Sequence, residues 1–281
     1  MSRRSVVARP FAMARGVLRR NHHRVGTCWT TRDPRPLLRL CLQMYRVATQ
    51  RPFSDADAFE LVTVDPAAVT YVSNRAKGWD SWLGEVVGGD WDRRSVPLNE
   101  IPIVRVVTDH IEQGDPLDCD RHRRYYAEEC RREEPFGVRC ERLSGLIWDI
   151  ERNGYRTQRE LLEREDIHTL QGQNNDTVHP LLNEIRVDID RGGGLHHWRC
   201  GLHRLAIARA LGIERVPVLV GTRHAEWQAV RDQFRRASSV DDLPEAVQVH
   251  IGHPDLAGLV PESAPETDDD QSPVPPDRPT S

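Results

Sequence analysis

A glycine, a histidine and an arginine stand close together where a predicted helix begins. Gly201 precedes the helix, and His203 and Arg204 lie in its first turn. That turn leaves backbone N–H groups unpaired and carries partial positive charge, and a glycine before it lets an anion approach closely. The imidazole and the guanidinium add donors, and arginine can bind phosphate oxygens in a bidentate manner. We therefore predict that Cys200, Gly201, Leu202, His203 and Arg204 bind the phosphates of a nucleotide.

Four aspartates are the carboxylates that could act beside such a site. Asp188 and Asp190 lie in the predicted strand upstream of the helix, and Asp90 and Asp92 lie in a stretch rich in glycine and tryptophan. Carboxylates bind magnesium and serve as general bases, and magnesium neutralises the charge that develops during phosphoryl transfer. We predict these four residues as catalytic, either as ligands of a magnesium ion or as the base.

Three tryptophans, Trp79, Trp82 and Trp91, stand in the same stretch as Asp90. Indole rings can stack on a nucleotide base. They can equally anchor a long loop to the core while the neighbouring acids face water. The sequence leaves both interpretations open.

Two further basic residues, Arg223 and His224, directly follow a predicted strand. Side chains at the carboxyl edge of a sheet often contact a ligand, which makes both residues predicted nucleotide contacts. They could as well cap the helix that comes next.

The histidines near the predicted helix suggest a different class of site, because zinc binds imidazole and thiolate groups. His196, His197, Cys200 and His203 are the ligands that such a site would use. Their spacing disfavours zinc, since neighbouring residues of a strand point to opposite faces and no Cys-x-x-Cys pair lies nearby. A zinc-dependent protein is therefore the third hypothesis.

An order of strand, turn, strand, helix and strand positions these residues. Residues 185–190 alternate between aliphatic and charged side chains, which predicts a half-buried strand. Three glycines, residues 192–194, can take positive φ and reverse the chain into a second strand at residues 195–199. The helix that follows ends at Gly212, and residues 215–220 have the pattern of a buried strand.

This segment resembles the core motif of the ParB/sulfiredoxin-like superfamily. The resemblance is carried by Leu195, Cys200-Gly201-Leu202-His203-Arg204-Leu205-Ala206-Ile207-Ala208, Leu211-Gly212-Ile213 and Val216-Pro217-Val218. It extends upstream to residues 143–155, which resemble the superfamily's helix ending in an Asn-Gly-Tyr turn. Residues 88–92 and 223–228 are similar to a narrower group of uncharacterised ParB-like proteins.

The resemblance implies an α+β fold with a small mixed sheet and surrounding helices, and a Gly-x-His-Arg signature that holds nucleotide phosphates. Two positions depart from the superfamily pattern. Cys200 stands where an acidic residue is frequent, and Leu202 stands where sulfiredoxins have their catalytic cysteine. Sulfinic-acid reductase chemistry is therefore not expected. Some kinases of the superfamily carry a glutamate near the first strand, and no glutamate lies between Leu61 and Gly84.

The rest of the chain reads as helices and short strands around this core. Helices are predicted near residues 37–51, 99–114, 121–134, 141–153 and 224–236, and strands at 59–65 and 69–72. The predicted domain spans residues 55–250 and contains a helical insertion at about 95–140. A basic arm with a short helix, residues 1–54, precedes it, and a disordered, proline-rich acidic tail, residues 251–281, follows it.

Composition narrows the function classes. The 281 residues carry a net charge of −4, which argues against a protein whose whole surface binds nucleic acid. No apolar run reaches the length of a membrane span, and arginines at positions 15, 19 and 20 interrupt any signal peptide. Six cysteines at scattered positions fit reduced thiols. These features predict a cytoplasmic protein.

Together these patterns predict a protein that binds ATP or another nucleoside triphosphate with Mg²⁺. It would transfer a phosphoryl group to an unidentified small molecule or hydrolyse the nucleotide. The alternative is a non-catalytic, nucleotide-gated module that binds DNA or protein. DNA binding is the less favoured partner, because only the basic arm supports it and no helix-turn-helix domain follows the core.

Overall fold

The computed structural model describes residues 33, 35–74, 83–129, 135–164 and 180–260. Several predicted features lie outside the described residues. They are the basic arm up to residue 32, Trp79 and Trp82, residues 165–179, and the tail from residue 261. The strands are β1 (Leu61–Val64), β2 (Val69–Val72), β3 (Glu85–Val87), β4 (Val96–Pro97), β5 (Ile185–Ile189), β6 (Leu195–His197) and β7 (Val216–His224). The helices are α1 (Arg35–Thr49), α2 (Pro102–Gln113), α3 (Asp120–Glu129), α4 (Phe136–Asn153), α5 (Gln158–Glu163), α6 (Leu202–Ala210), α7 (Ala225–Arg236) and α8 (Glu245–Gln248).

Seven strands form one mixed sheet in the order β1-β7-β5-β6-β2-β4, and β3 pairs with the second half of β7. The pairs β5–β7, β2–β6 and β3–β7 are parallel, whereas β5–β6, β1–β7 and β2–β4 are antiparallel. The expectation of a mixed sheet surrounded by helices is therefore confirmed. Assignment to the ParB/sulfiredoxin-like fold stays a prediction.

The central strand β5 differs from its predicted environment. Alternating charges suggested a half-buried strand, but all five residues are buried, including Arg186 and Asp188. The reason is position: β5 lies between β6 and β7 in the interior of the sheet, and α6 contacts it. Charged side chains at such a place need internal partners.

Local signals explain where most elements begin and end. Gly114 closes α2 in the left-handed conformation with φ 76°, and Gly212 follows α6 with φ 66°. Helix α5 starts with a capping box between Thr157 and Glu160, a feature missed in the sequence. The sequence also missed β3, which lies in the stretch interpreted as a loop and has only three residues.

The chain divides into two compact units, residues 1–230 and 231–281. In the first, a cluster of buried apolar side chains joins α1 to the sheet through Leu42, Phe59 and Leu219. In the second, the buried residues include Phe234, and an ion pair joins Arg231 to Asp255 at 3.2 Å. None of the described helices is long and apolar enough to cross a membrane.

Candidate functional site

Gly201 stands at the junction between β6 and α6, in the left-handed conformation with φ 85°. A Cβ atom at this position would lie 2.7 Å from the Cα atom of Ile185 on β5. The loop therefore passes so close to the central strand that only glycine fits. Packing against β5 is therefore sufficient to explain the glycine at this position.

Arg204 does not point toward open space. Its side chain is only 6% exposed, and its guanidinium donates to the carbonyl of Asn183 and lies 3.6 Å from the carboxylate of Glu184. Burial raises the pKa of Glu184, and the nearby Arg204 charge opposes that rise. Arg204 thus joins α6 to the segment before β5 by a buried ion pair. The structure places this guanidinium where a phosphate contact would require breaking that pair.

The other motif residues also serve the junction. Cys200 is 3% exposed, and its carbonyl accepts from the backbone N–H of Arg186 and from the ring of His197. His203 is half-buried on α6. Leu202, the first residue of α6, lines a neighbouring pocket. Among the five residues of the predicted signature, Leu202 is the one that faces this pocket.

The pocket has a volume of about 530 Å³. Its walls come from the ends of β2 and β6, the start of α2, one face of α3 and the loop before α6. Four arginines and two glutamates supply its charged lining: Arg105, Arg121, Arg124, Arg199, Glu100 and Glu128. We refer to it as the arginine pocket. A volume of this order suits a small organic ligand.

Only part of this positive charge is neutralised by neighbours. Arg121 pairs with Asp109 at 2.6 Å, whereas Arg105 donates to the carbonyl of Asn99 at 2.6 Å and Arg124 only weakly to that of Asp120 at 3.4 Å. Carbonyl partners leave the full charge on a guanidinium. The pocket is therefore suited to an anionic ligand, and the N-terminus of α6 adds partial positive charge at Leu202.

Arg199 reaches the same pocket from the loop before α6. Its backbone has φ 69°, which is rare for a residue with a side chain, and its guanidinium lies 5.0 Å from the centre of the Trp198 ring. Unusual backbone conformations of this kind concentrate at functional sites.

Two of the predicted catalytic carboxylates lie elsewhere and are held by one arginine. Arg191, in the turn between β5 and β6, contacts both oxygens of Asp92 at 2.7 and 2.9 Å and one oxygen of Asp90 at 3.0 Å. The hydrogen bonds from Arg191 lower the pKa of Asp92 below its ordinary value. Both carboxylates therefore fix the turn to the stretch after β3, and neither lines the arginine pocket.

The other two predicted carboxylates are Asp188 and Asp190. Asp188 is fully buried on β5, directly across from His196 on β6. Asp190 accepts hydrogen bonds from the backbone N–H groups of Gly192 and Gly194 and contacts the His196 ring at 3.0 Å. Like Asp90 and Asp92, they are absent from the lining of the arginine pocket.

His224 has both ring nitrogens engaged. Its Nδ1 accepts from the backbone N–H of Glu226 at 3.1 Å, so Nε2 donates to the carbonyl of Gly89 at 2.8 Å. The residue thus caps α7 and ties it to the stretch after β3. Arg223 is 2% exposed at the end of β7. Of the two roles considered for His224, helix capping is the one that these contacts show.

The proposed zinc ligands do not converge in the part of the chain that the structure describes. No group of three or more histidine, cysteine, aspartate or glutamate side chains in this part could hold a metal ion. His196 contacts Ser95 and Asp190, whereas His197 contacts the carbonyl of Cys200.

Sequence reasoning missed the arginines of the pocket. Arg121 and Arg124 belong to a helix for which the sequence suggested no function, and Arg105 lies on the exposed face of α2. Their spacing carries no motif. The one available signal was the accumulation of arginine and tyrosine at residues 121–126.

Comparison with known proteins adds no family to this description. No protein-family model matches the chain, and no curated protein or solved structure matches it significantly.

Proposed function

We propose that this protein binds a nucleoside triphosphate, with its phosphates in the arginine pocket beside the N-terminus of α6. The observation that carries the proposal is the convergence of Arg105, Arg124 and Arg199 on one cavity of about 530 Å³. Guanidinium groups match the geometry of phosphate oxygens, and the first turn of a helix adds main-chain donors. The site lies at the junction that the sequence motif marks, but it uses other side chains.

The motif residues then act as the frame of the site. Gly201 allows the loop to pass against β5, and the buried pair of Arg204 and Glu184 fixes the start of α6. This arrangement is compatible with a ParB/sulfiredoxin-like protein in which the signature shapes the phosphate loop. The arginines of the pocket, and not His203 and Arg204, would therefore contact the phosphates.

We further propose phosphoryl transfer to a small molecule, or nucleotide hydrolysis, as the reaction. Glu100 and Glu128 are the carboxylates of the pocket, and they replace the four aspartates as the groups that would hold magnesium or accept a proton. Magnesium, when bound, would neutralise charge on the phosphates. The arginines hold the phosphate oxygens in place, and Tyr125 provides a ring in the same wall.

Calorimetric titration of the full-length protein with ATP, CTP and ADP in the presence of Mg²⁺ tests binding. Replacing Arg124 by alanine should weaken the affinity at least about 10-fold, because a hydrogen bond to a charged group contributes about 1.5–3 kcal/mol. Arg152→Ala is the matched control, since Arg152 is exposed on α4, contacts the Trp148 ring and is outside the pocket lining. Absence of binding by all three nucleotides at millimolar concentration would contradict the proposal.

Release of inorganic phosphate separates the enzyme from the binding module. Turnover that falls in Glu128→Gln while ATP affinity is retained supports catalysis in the pocket. Binding without any phosphate release, with candidate acceptors present, supports the nucleotide-gated module instead.

A further inference from the structure

A serine, a histidine and an aspartate form a hydrogen-bonded chain away from the arginine pocket. The Oγ atom of Ser95 lies 2.6 Å from Nδ1 of His196, and Nε2 of the same ring lies 3.0 Å from Oδ2 of Asp190. Ser95 precedes β4, His196 lies on β6, and Asp190 follows β5. One β-hairpin, which carries Asp190 and His196, thus meets a segment about 100 residues earlier in the chain at one imidazole ring.

The hydrogen bonds among Ser95, His196 and Asp190 have a defined donor and acceptor at each step. Asp190 accepts at Oδ1 from the backbone N–H groups of Gly192 and Gly194, at 2.8 and 2.7 Å. Burial alone would raise the pKa of Asp190, but the hydrogen bonds from His196 and these N–H groups outweigh it, and the pKa lies below its ordinary value. An ionised carboxylate can only accept, so His196 donates from Nε2, and in the neutral ring Nδ1 then accepts from the Ser95 hydroxyl.

The imidazole is held in this orientation. His196 is 3% exposed, and the rings of Tyr71 and Trp91 lie 5.2 and 6.1 Å from its ring centre. Ser95 itself is half-buried, the adjacent Val96 is 37% exposed, and Tyr71, which packs on His196, is 42% exposed. The serine is therefore partly exposed while its base is buried.

We propose that Ser95 is a nucleophile, with His196 as its general base and Asp190 as the positioning residue, in a second site that cleaves small carboxylic esters. The arrangement of roles matches the general logic of serine hydrolysis, in which a carboxylate fixes the tautomer of the histidine that deprotonates serine. The partly exposed rings of Tyr71 and Trp91, which pack on His196, favour an apolar acyl group. This site is separate from the proposed nucleotide site, because His197 lines the arginine pocket and the adjacent His196 points to the other face of β6.

The reaction balances with water as the only co-reactant. Ser95 Oγ attacks the ester carbonyl carbon while its proton passes to Nδ1 of His196. The bond to the alcohol oxygen then breaks, and the alcohol leaves with that proton. Water attacks the acyl group on Ser95 and gives a proton to Nδ1, and cleavage of the acyl–Oγ bond releases the carboxylic acid and restores the serine hydroxyl.

Labelling of the wild-type protein with a fluorophosphonate probe, followed by peptide mass spectrometry, tests the nucleophile directly. The expected result is covalent modification at Ser95, together with hydrolysis of p-nitrophenyl acetate. Ser95→Ala should lose at least about 90% of both, whereas Ser144→Ala, an exposed serine on α4, should lose neither. Modification of the wild type at other serines only, or equal labelling of Ser95→Ala, overturns the proposal.

Two measurements test the roles of His196 and Asp190. Added imidazole should restore ester hydrolysis in a folded His196→Ala variant, which a structural role for the ring would not produce. Nitrogen NMR of the wild type should show His196 protonated at Nε2 and unprotonated at Nδ1, with a mixed tautomer in Asp190→Asn. A wild-type ring protonated at Nδ1 contradicts the assignment of His196 as the base, independently of any nucleotide result.

Discussion

Single residues at the β6–α6 junction combine a motif with a packing constraint. A Cβ atom on Gly201 would meet the backbone of Ile185, and the positive φ adds strain for any other residue. We expect Gly201→Ala to lower the free energy of unfolding by about 2–3 kcal/mol, as overpacking and left-handed strain combine. Urea denaturation measures the change.

Gly212→Ala is the control for that variant. Gly212 also has positive φ, 66°, but nothing lies within 4 Å of its added Cβ. Its substitution should cost only about 1 kcal/mol, from conformation alone. Equal losses in the two variants would show that contact with Ile185 does not constrain the junction.

Arg204 provides a second prediction at the residue scale. Arg204→Met leaves the carboxylate of Glu184 buried without its charged partner, so the free energy of unfolding should fall by about 3–5 kcal/mol. Adding Glu184→Gln removes the stranded charge and should recover part of the loss. Chemical denaturation of both variants measures this coupling. A single variant that loses under about 1 kcal/mol would indicate that the pair is solvent-screened.

Elements rather than residues decide which charges are available for chemistry. The turn between β5 and β6 carries Arg191 to Asp92 and Asp90, and the cap of α7 carries His224 to Gly89. Both contacts fix the stretch after β3 against the central strands. Asp90 and Asp92, which the sequence suggested as magnesium ligands, therefore connect the stretch after β3 to the turn between β5 and β6.

The contact of Arg191 with Asp92 predicts a dependence of stability on pH. Arg191 lowers the pKa of Asp92, whose ordinary value is 3.8, so the folded state binds this proton less readily than the unfolded chain. The resulting stability is present above that value and is lost as the pH falls below it. In Arg191→Gln the loss of stability below about pH 4 should therefore become shallower.

Circular dichroism recorded during an acid titration measures how steeply the stability falls with pH. Arg93→Gln is the control, because Arg93 is exposed and its guanidinium pairs with Asp90 at 3.4 Å, whereas Arg191 supplies the hydrogen bonds that lower the pKa of Asp92. If stability fell equally steeply with pH in wild type and in Arg191→Gln, the Asp92 carboxylate would not be a cause of this pH dependence.

Local patterns were sufficient to predict the central elements. Aliphatic alternation located β5, the glycines located the turn, and Gly114 and Gly212 located two helix ends. The sequence could not show that Arg186 and Asp188 are buried, because burial of both faces of β5 depends on the elements that pack on the sheet, such as α6, and not on the pattern of the strand itself. Three-residue β3 had too few positions for a period to appear.

The dependence on tertiary packing also explains why the sequence did not predict the residues of the arginine pocket. Proximity in sequence brought His203 and Arg204 into the predicted phosphate contacts, but a helix turns successive side chains about 100° apart and directs Arg204 inward. The arginines of the pocket lie on α2, α3 and the loop before α6. Only the packing of α2 against α6 and of α3 against α2 brings them together.

At the scale of the whole molecule, the arginine pocket joins four segments that are separated in sequence: the end of β2, the start of α2, one face of α3 and the β6–α6 loop. A bound triphosphate would contact guanidinium groups on α2, on α3 and on the β6–α6 loop at once. Ligand binding should therefore stabilise these segments together.

We expect saturating ATP with Mg²⁺ to slow hydrogen exchange in α3 and in the start of α2, and to raise the free energy of unfolding by about 2.7 kcal/mol at 100 times the dissociation constant. Residues 231–260, which belong to the second compact unit, supply none of the pocket lining and serve as the internal reference. Arg105→Ala should lose the protection of α3, whereas Arg152→Ala should retain it. The protection should also weaken as salt rises, because phosphate contacts made by arginine are screened. Protection confined to α7, or unchanged between low and high salt, would place the anion outside the arginine pocket.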